Sequence, residues 1–175
     1  AGRVHSISCT GANLEEDIFL LIAGDEYENV QSWRSQSAMD DLDLNLRGMN
    51  RVTDVCIPED AAIRRVESML LEIWKEEPRL PHEHLYALLD RIELAPRSEN
   101  SWLLAAKKMN IPILVPGWED STLGNLFAAA CVRGDLTPNM VRSGVNYMID
   151  FADWYKSQTE PVGFLQIGGG IAGDF

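Results

Sequence analysis

Paired cysteines are missing from this 175-residue chain: Cys9, Cys56 and Cys131 lie far apart, an odd number with no C-x-x-C spacing. Their scarcity argues against a disulfide framework or a cysteine-based zinc site and points to a reducing compartment. Positive charge is also scarce, with 15 Lys and Arg against 27 Asp and Glu, a formal charge of −12. Such a surface repels nucleic acid and anionic lipid and suits cationic ligands. Nowhere do about 18 apolar residues run together, the length that a membrane-spanning helix needs. The first residues lack the basic and apolar regions of a signal peptide. A soluble, cytoplasmic protein with no nucleic-acid or membrane partner is therefore expected. There is no internal repeat or low-complexity tract.

What is present suits a single globular domain, since 46% of the residues are hydrophobic, enough for a sizeable core. Three short, partly β-branched runs read as buried strands: "RVHSISC" (3–9), "IPILVP" (111–116) and "VGFLQIG" (162–168). Helical patterns lie between them. In "PEDAAIRRVESMLLEIWKEE", Pro58 and two acids suit a first turn, and Ile63, Val66, Leu70 and Ile73 fall on one face. Further helices are expected over 14–22, 82–91, 99–109, 122–133 and 138–158, the last with Thr137 as its cap and Pro138 in its first turn. Alternating strands and helices predict a doubly wound, Rossmann-like α/β fold, a mostly parallel sheet with helices on both faces. The stretch 24–57 is acidic and irregular, too long for an ordinary connection, and reads as a functional or mobile loop. The closing "GGGIAGDF" follows directly on a strand, where such folds pass through their ligand crevice, so residues 1–175 are expected to be one α/β segment of a longer polypeptide.

Open α/β sheets bind ligands beyond the carboxyl ends of their strands, so three turns belong together: "TGANLEED" (10–17), "GWEDSTLGN" (117–125) and "GGGIAGDF" (168–175). Thr10, Gly11 and Ala12 let a phosphate approach helix-start amides, and the glycine run offers a similar approach. Neither matches G-x-G-x-x-G in the required context, so pattern alone is a weak argument for a dinucleotide. Glu15, Glu16 and Asp17 fit a first helical turn, either offsetting its dipole or facing a ligand. Asp120 can cap the helix starting near Thr122 or hold a ribose hydroxyl. Taken together, the turns suit a ligand with phosphates at one end and amines at another. Trp118 is the one tryptophan placed to wall a pocket. His82 and His84 in "PHEHL" do not face each other on a helix, which argues against a metal site and for surface positions. His5 reads as structural, and neither a Ser-His-Asp order nor an activated cysteine is present.

Four segments in order, "TGANLEEDIF", "GMNRVTDVCIP", "NIPILVPGWEDSTLGN" and "GFLQIGGGIAGDF", resemble the deoxyhypusine synthase family over essentially the whole chain. The resemblance is strongest to its bacterial and archaeal deoxyhypusine synthase-like branch, which shares ancestry with homospermidine synthases. It implies NAD-dependent aminobutyl transfer. Spermidine is oxidised by hydride transfer to NAD, its butylamine imine passes to an enzyme lysine and then to an acceptor amine, and hydride returns. The acceptor is a translation-factor lysine in one branch and putrescine in the other. It also implies a homotetramer with NAD at dimer interfaces. By motif, Thr10, Gly11 and Ala12 fall on the family's NAD turn, and Glu16 on a residue contacting cofactor and amine. Asp120 falls on the ribose-binding acid and Gly169 on the NAD-contacting glycines. Glu15, Glu16, Asn125 and Asp174 fall on the polyamine side.

Two positions depart from the family pattern. Asn125 replaces a polyamine-binding Asp and Asp174 replaces a His, so the pocket stays anionic with altered geometry. No lysine here matches the imine-forming one, which follows well after the glycine run, so no catalytic residue is assigned within 1–175. The resemblance supports an aminobutyltransferase segment whose lysine lies elsewhere. The competing expectation is a non-catalytic NAD- or polyamine-binding module.

Overall fold

A computed structural model describes residues 3–96, 98–142 and 144–174. Strand β1 (Ile7–Ser8) pairs in parallel with β5 (Ile113–Leu114), Ile7 opposite Ile113 and Ser8 opposite Leu114. Bonds from Ile7 N to Pro112 O and from Cys9 N to Leu114 O, both 3.0 Å, extend the ladder. Each strand leads into a helix, α1 (Gly11–Ala23) after β1 and α6 (Thr122–Arg133) after β5. The parallel arrangement follows from that order, because the chain must cross back over the pair before pairing again. β1 is shorter than the expected 3–9, and His5 lies exposed ahead of it.

Between these halves, α3 (Arg65–Trp74), α4 (Pro81–Leu89) and α5 (Trp102–Lys108) cover the core. The expected helix from Pro58 opens as a π-helical turn, Glu59–Arg64, before becoming α3. Its apolar stripe, Ile63, Val66, Leu70 and Ile73, is buried as its spacing requires. Leu14, Ile18, Phe19 and Ile22 of α1 are buried in the same core. Trp74 and Phe127 meet edge to face at 5.2 Å, and Trp118 packs on Phe127 at 5.7 Å.

The stretch 24–57 is structured rather than an irregular loop. β2 (Glu28–Asn29), β3 (Met49–Val52) and β4 (Val55–Pro58) form an antiparallel sheet in the order β2-β4-β3. Between β2 and β3, α2 (Ala38–Leu46) starts with a capping box in which Ser37 and Asp40 bond reciprocally. The hairpin carries no Asn-Gly or Asp-Gly, and Thr53 takes the left-handed conformation at φ 55° that such turns leave to glycine. α2 buries none of its residues, so its apolar spacing had no core to report.

Two further expectations give way. The helix over 138–158 is instead a 3-10 turn, Pro138–Met140, followed by α7 (Gly144–Ser157), and Thr137 makes no side-chain cap. Residues 162–168 form no strand here. They carry no backbone pairing among the described residues, with Phe164, Leu165 and Ile167 at least 75% exposed, and lead to a one-turn helix, α8 (Ile171–Asp174). The described residues are thus mixed α/β, with eight α-helices, one parallel pair and one antiparallel sheet. No helix among them is long and apolar enough to cross a membrane.

His82 and His84 are buried, not on the surface, because α4 turns that face inward against α7 and the 138–140 turn. His82 Nδ1 meets Tyr147 Oη at 2.9 Å, and His84 Nε2 lies 3.0 Å from Met140 O, which can only accept. Burial lowers both imidazoles from the ordinary 6.5 to about 4. The unfolded chain takes up these protons below about pH 6.5, while the folded chain resists them down to about 4, so stability should fall with pH through that window. Thermal melts between those limits should show a falling Tm. His84→Gln, which keeps a donor for Met140, should flatten part of the slope, and an unchanged slope would exclude His84 as a cause.

Candidate functional site

Because β1 and β5 are parallel and each precedes a helix, the starts of α1 and α6 lie at the same edge. Helix starts carry amides without intrahelical acceptors and a partial positive charge. Thr10 caps α1, its Oγ1 accepting from Asn13 N at 3.2 Å and donating to Asn13 Oδ1 at 2.9 Å. The α6 cap is Ser121, not Asp120. Its Oγ accepts from Gly124 N at 3.0 Å and donates to Trp118 O at 2.6 Å. Asn125, one turn along, donates from Nδ2 to Ser121 O at 2.8 Å.

The two starts are pressed together by missing side chains. A Cβ on Gly11 would lie 2.8 Å from Ser121 Cβ and 3.0 Å from Trp118 O. One on Gly124 would lie 2.7 Å from both Trp118 O and Glu119 Cα. The third turn joins them, as Ser8 Oγ donates to Ala172 O at 2.7 Å and a Cβ on Gly117 would meet Ile171 Cδ1 at 2.9 Å. The turns after β1 and β5 and the segment after the glycine run therefore meet at one edge. Gly169 is exposed with open space on its Cβ side, between Gly168 and Gly170 at φ 87° and 82°.

The acidic triplet divides in a way its sequence does not show. α1 begins at Gly11, so Glu15, Glu16 and Asp17 lie beyond its first turn, and two of them cap other helices. Buried Glu15 accepts from Thr122 N at 3.0 Å through Oε1 and from Leu123 N at 2.8 Å through Oε2, spanning the start of α6. Asp17 Oδ2 accepts from Ser101 Oγ at 2.6 Å and Leu103 N at 3.0 Å at the start of α5. Glu16 is exposed, with no hydrogen bond or ion pair among the described residues. Asp120 is likewise exposed and unpaired at its carboxylate, while its N–H donates to Gly117 O at 3.0 Å, closing the turn. Ala12 is exposed, and the side chain of Asp174 lies outside the described residues. The clues to these caps were Ser101 and Ser121, each preceding an apolar helix whose free amides need acceptors.

Below the edge, Trp118 lines a cavity of about 20 Å3 with Gly11, Leu14, Trp74, His84 and Ser121, room for about one water. His84 Nδ1 is buried without a hydrogen-bond partner among the described residues. A second cavity of about 170 Å3 lies between α4, α7 and β5, walled by His82, Tyr147, Phe151 and Trp154. Burial pushes the Cys9 thiol up to about 12, leaving it a poor nucleophile. No cluster of three or more His, Cys, Asp or Glu among the described residues could hold a metal.

These features define a mixed α/β protein whose exposed edge combines two helix starts, a glycine run and unpaired carboxylates. The family model described as deoxyhypusine synthase matches residues 1–175, and the chain belongs to that family. A probable deoxyhypusine synthase of Aeropyrum pernix is 26% identical over 174 residues, covering 98% of this chain and 53% of the relative. A deoxyhypusine synthase-like protein of Cyanothece sp. is 28% identical, covering 77% of this chain and 34% of the relative. The deoxyhypusine synthase of Arabidopsis thaliana is 27% identical, covering 70% of this chain and 33% of the relative. The chain thus spans about half of the first relative and about a third of the other two.

Gly124→Ala should force the Trp118–Glu119 backbone aside, since the atoms it meets are main chain rather than a flexible side chain. The expected loss is about 1–3 kcal/mol of unfolding free energy in denaturant titrations. Unchanged stability would mean that this contact relaxes freely.

Proposed function

We propose that residues 1–175 form the NAD-binding α/β part of a deoxyhypusine synthase-like aminobutyltransferase. It acts on spermidine or a related polyamine and passes the aminobutyl group to a protein lysine or to putrescine. The observation that carries this reading is the meeting of three turns at one edge, Gly11 against Ser121 and Ser8 bonded to Ala172. Family membership gives it chemical content.

The residues present fit a dinucleotide. The α1 start after Thr10, with Gly11 and Ala12, offers amides to phosphate, and Gly169 offers close backbone approach. Asp120, free of the capping role, is available for a ribose hydroxyl. NAD would supply hydride acceptance and return. Glu16, with Asn125 and Asp174, holds the cationic nitrogens through charge-assisted hydrogen bonds. Glu15, its oxygens engaged by α6, adds negative charge to that side. The imine-forming lysine is supplied from outside residues 1–175. The assembled enzyme is a cytoplasmic homotetramer with a doubly wound α/β sheet.

Asp120→Ala in the complete polypeptide should weaken NAD binding by roughly ten-fold or more in calorimetric titration, the range for losing a charge-assisted hydrogen bond. Equal affinity would remove Asp120 from the site. Borohydride should trap a spermidine-derived imine on the same protein when NAD is present. NAD binding without any trapped imine would favour a binding module instead.

A further inference from the structure

We infer that Glu15 is a positioning residue for the cofactor side of the site, and that of the three consecutive acids only Glu16 is left to contact a ligand. This rests on the functional reading above and departs from the polyamine contact that the family resemblance implies for Glu15. Glu15 is 7% exposed, and each carboxylate oxygen accepts one amide of α6, from Thr122 at 3.0 Å and from Leu123 at 2.8 Å. Those two bonds occupy half of the acceptor sites of the carboxylate, and its burial leaves little accessible surface for an ammonium group. Half-buried Asp17 is tied to α5 through one oxygen, Oδ2 accepting from Ser101 Oγ and from Leu103 N. Glu16, between them, faces solvent without a partner.

The consequence is mechanical. Glu15 extends from α1, which follows the Thr10 turn, and grips the start of α6, which follows the Asp120 turn. The β1–β5 ladder joins the chain just ahead of these turns, and the close approach of Gly11 to Ser121 and Trp118 limits how near they come without fixing them beyond the strand ends. The Glu15 bonds are directional and charge-assisted, so they set the spacing between phosphate-side amides and ribose-side carboxylate. Binding across two elements is sensitive to displacements of about 1 Å. The amine end also spans α1 and α6, through Glu16 and Asn125, but the exposed Glu16 side chain has no internal bond and can follow a small shift, which the backbone amides of the Thr10 turn cannot.

The test uses Glu15→Gln and Glu16→Gln in the complete polypeptide, with NAD titrations and spermidine KM measured well below Tm. Gln replaces one of the two acceptor oxygens with a donor that faces an α6 amide, so Glu15→Gln should weaken NAD binding roughly ten-fold and leave spermidine KM within about two-fold. Glu16→Gln should instead raise spermidine KM. Amide hydrogen exchange supplies a readout independent of turnover. Thr122 and Leu123, at positions that normally exchange freely, should be protected in the unaltered protein and lose protection in Glu15→Gln. If Glu15→Gln does not fold, Ser121→Ala, which weakens the same helix start from its own cap, should show the same selective loss of NAD affinity. A raised spermidine KM with unchanged NAD affinity in Glu15→Gln would overturn the inference, as would no change in either. No NAD binding by the unaltered protein would overturn the functional reading and the inference together.

Discussion

Helix α1 holds the molecule together through two carboxylates pointing away from its own axis. Glu15 accepts the first two amides of α6, and Asp17 accepts one amide of α5 and the hydroxyl of its Ser101 cap, so three helices are joined by charge rather than by apolar contact alone. Two helix starts side by side bring two partial positive charges together, and a buried anion between α1 and α6 offsets that repulsion. The same amides satisfy the carboxylate, removing most of the penalty for burying it. The β1–β5 ladder brings the turns bearing Thr10 and Asp120 together, and this arrangement sets their spacing beyond the strand ends.

The glycines complete that constraint from the other side. Gly11 and Gly124 lie where any side chain would strike atoms of the 118–121 turn. Their role is to permit contact, whereas that of Glu15 is to enforce it. Trp118 fixes the turn from below by packing on Phe127, itself against Trp74. An exposed edge thereby rests on a rigid aromatic base, while Asp120 and Glu16 stay free of internal partners.

Much of this was legible in the sequence where a local rule matched the tertiary outcome. The 122–133 helix has its expected bounds, although its cap is Ser121 rather than Asp120, and Gly134, at φ 84°, closes it. The parallel pairing of β1 and β5 follows from strands separated by helices. The family was legible from ordered motifs that one match spans completely. What escaped was decided by partners distant in sequence. The acids of α1 look like caps of their own helix, and only packing brings α5 and α6 to them. His82 and His84 look solvent-bound until α7 and the 138–140 turn cover them. Residues 24–57 hid a sheet because Thr53 occupies a glycine-type turn position and α2 buries nothing.

The stretch from 162 to 168 has one more consequence, for how copies of this chain treat one another. "VGFLQIG" contains no charge, and Phe164, Leu165 and Ile167 are nearly bare to solvent, with unpaired backbone along their length. A run of that kind is a template for strand addition, open to an identical run on a neighbour. The surplus of acids, −12 in all, keeps neighbours apart, but only over distances that salt controls, about 10 Å at 0.1 M. Colloidal behaviour is thus a contest between one sticky ribbon and a diffuse negative cloud, and ionic strength sets which prevails.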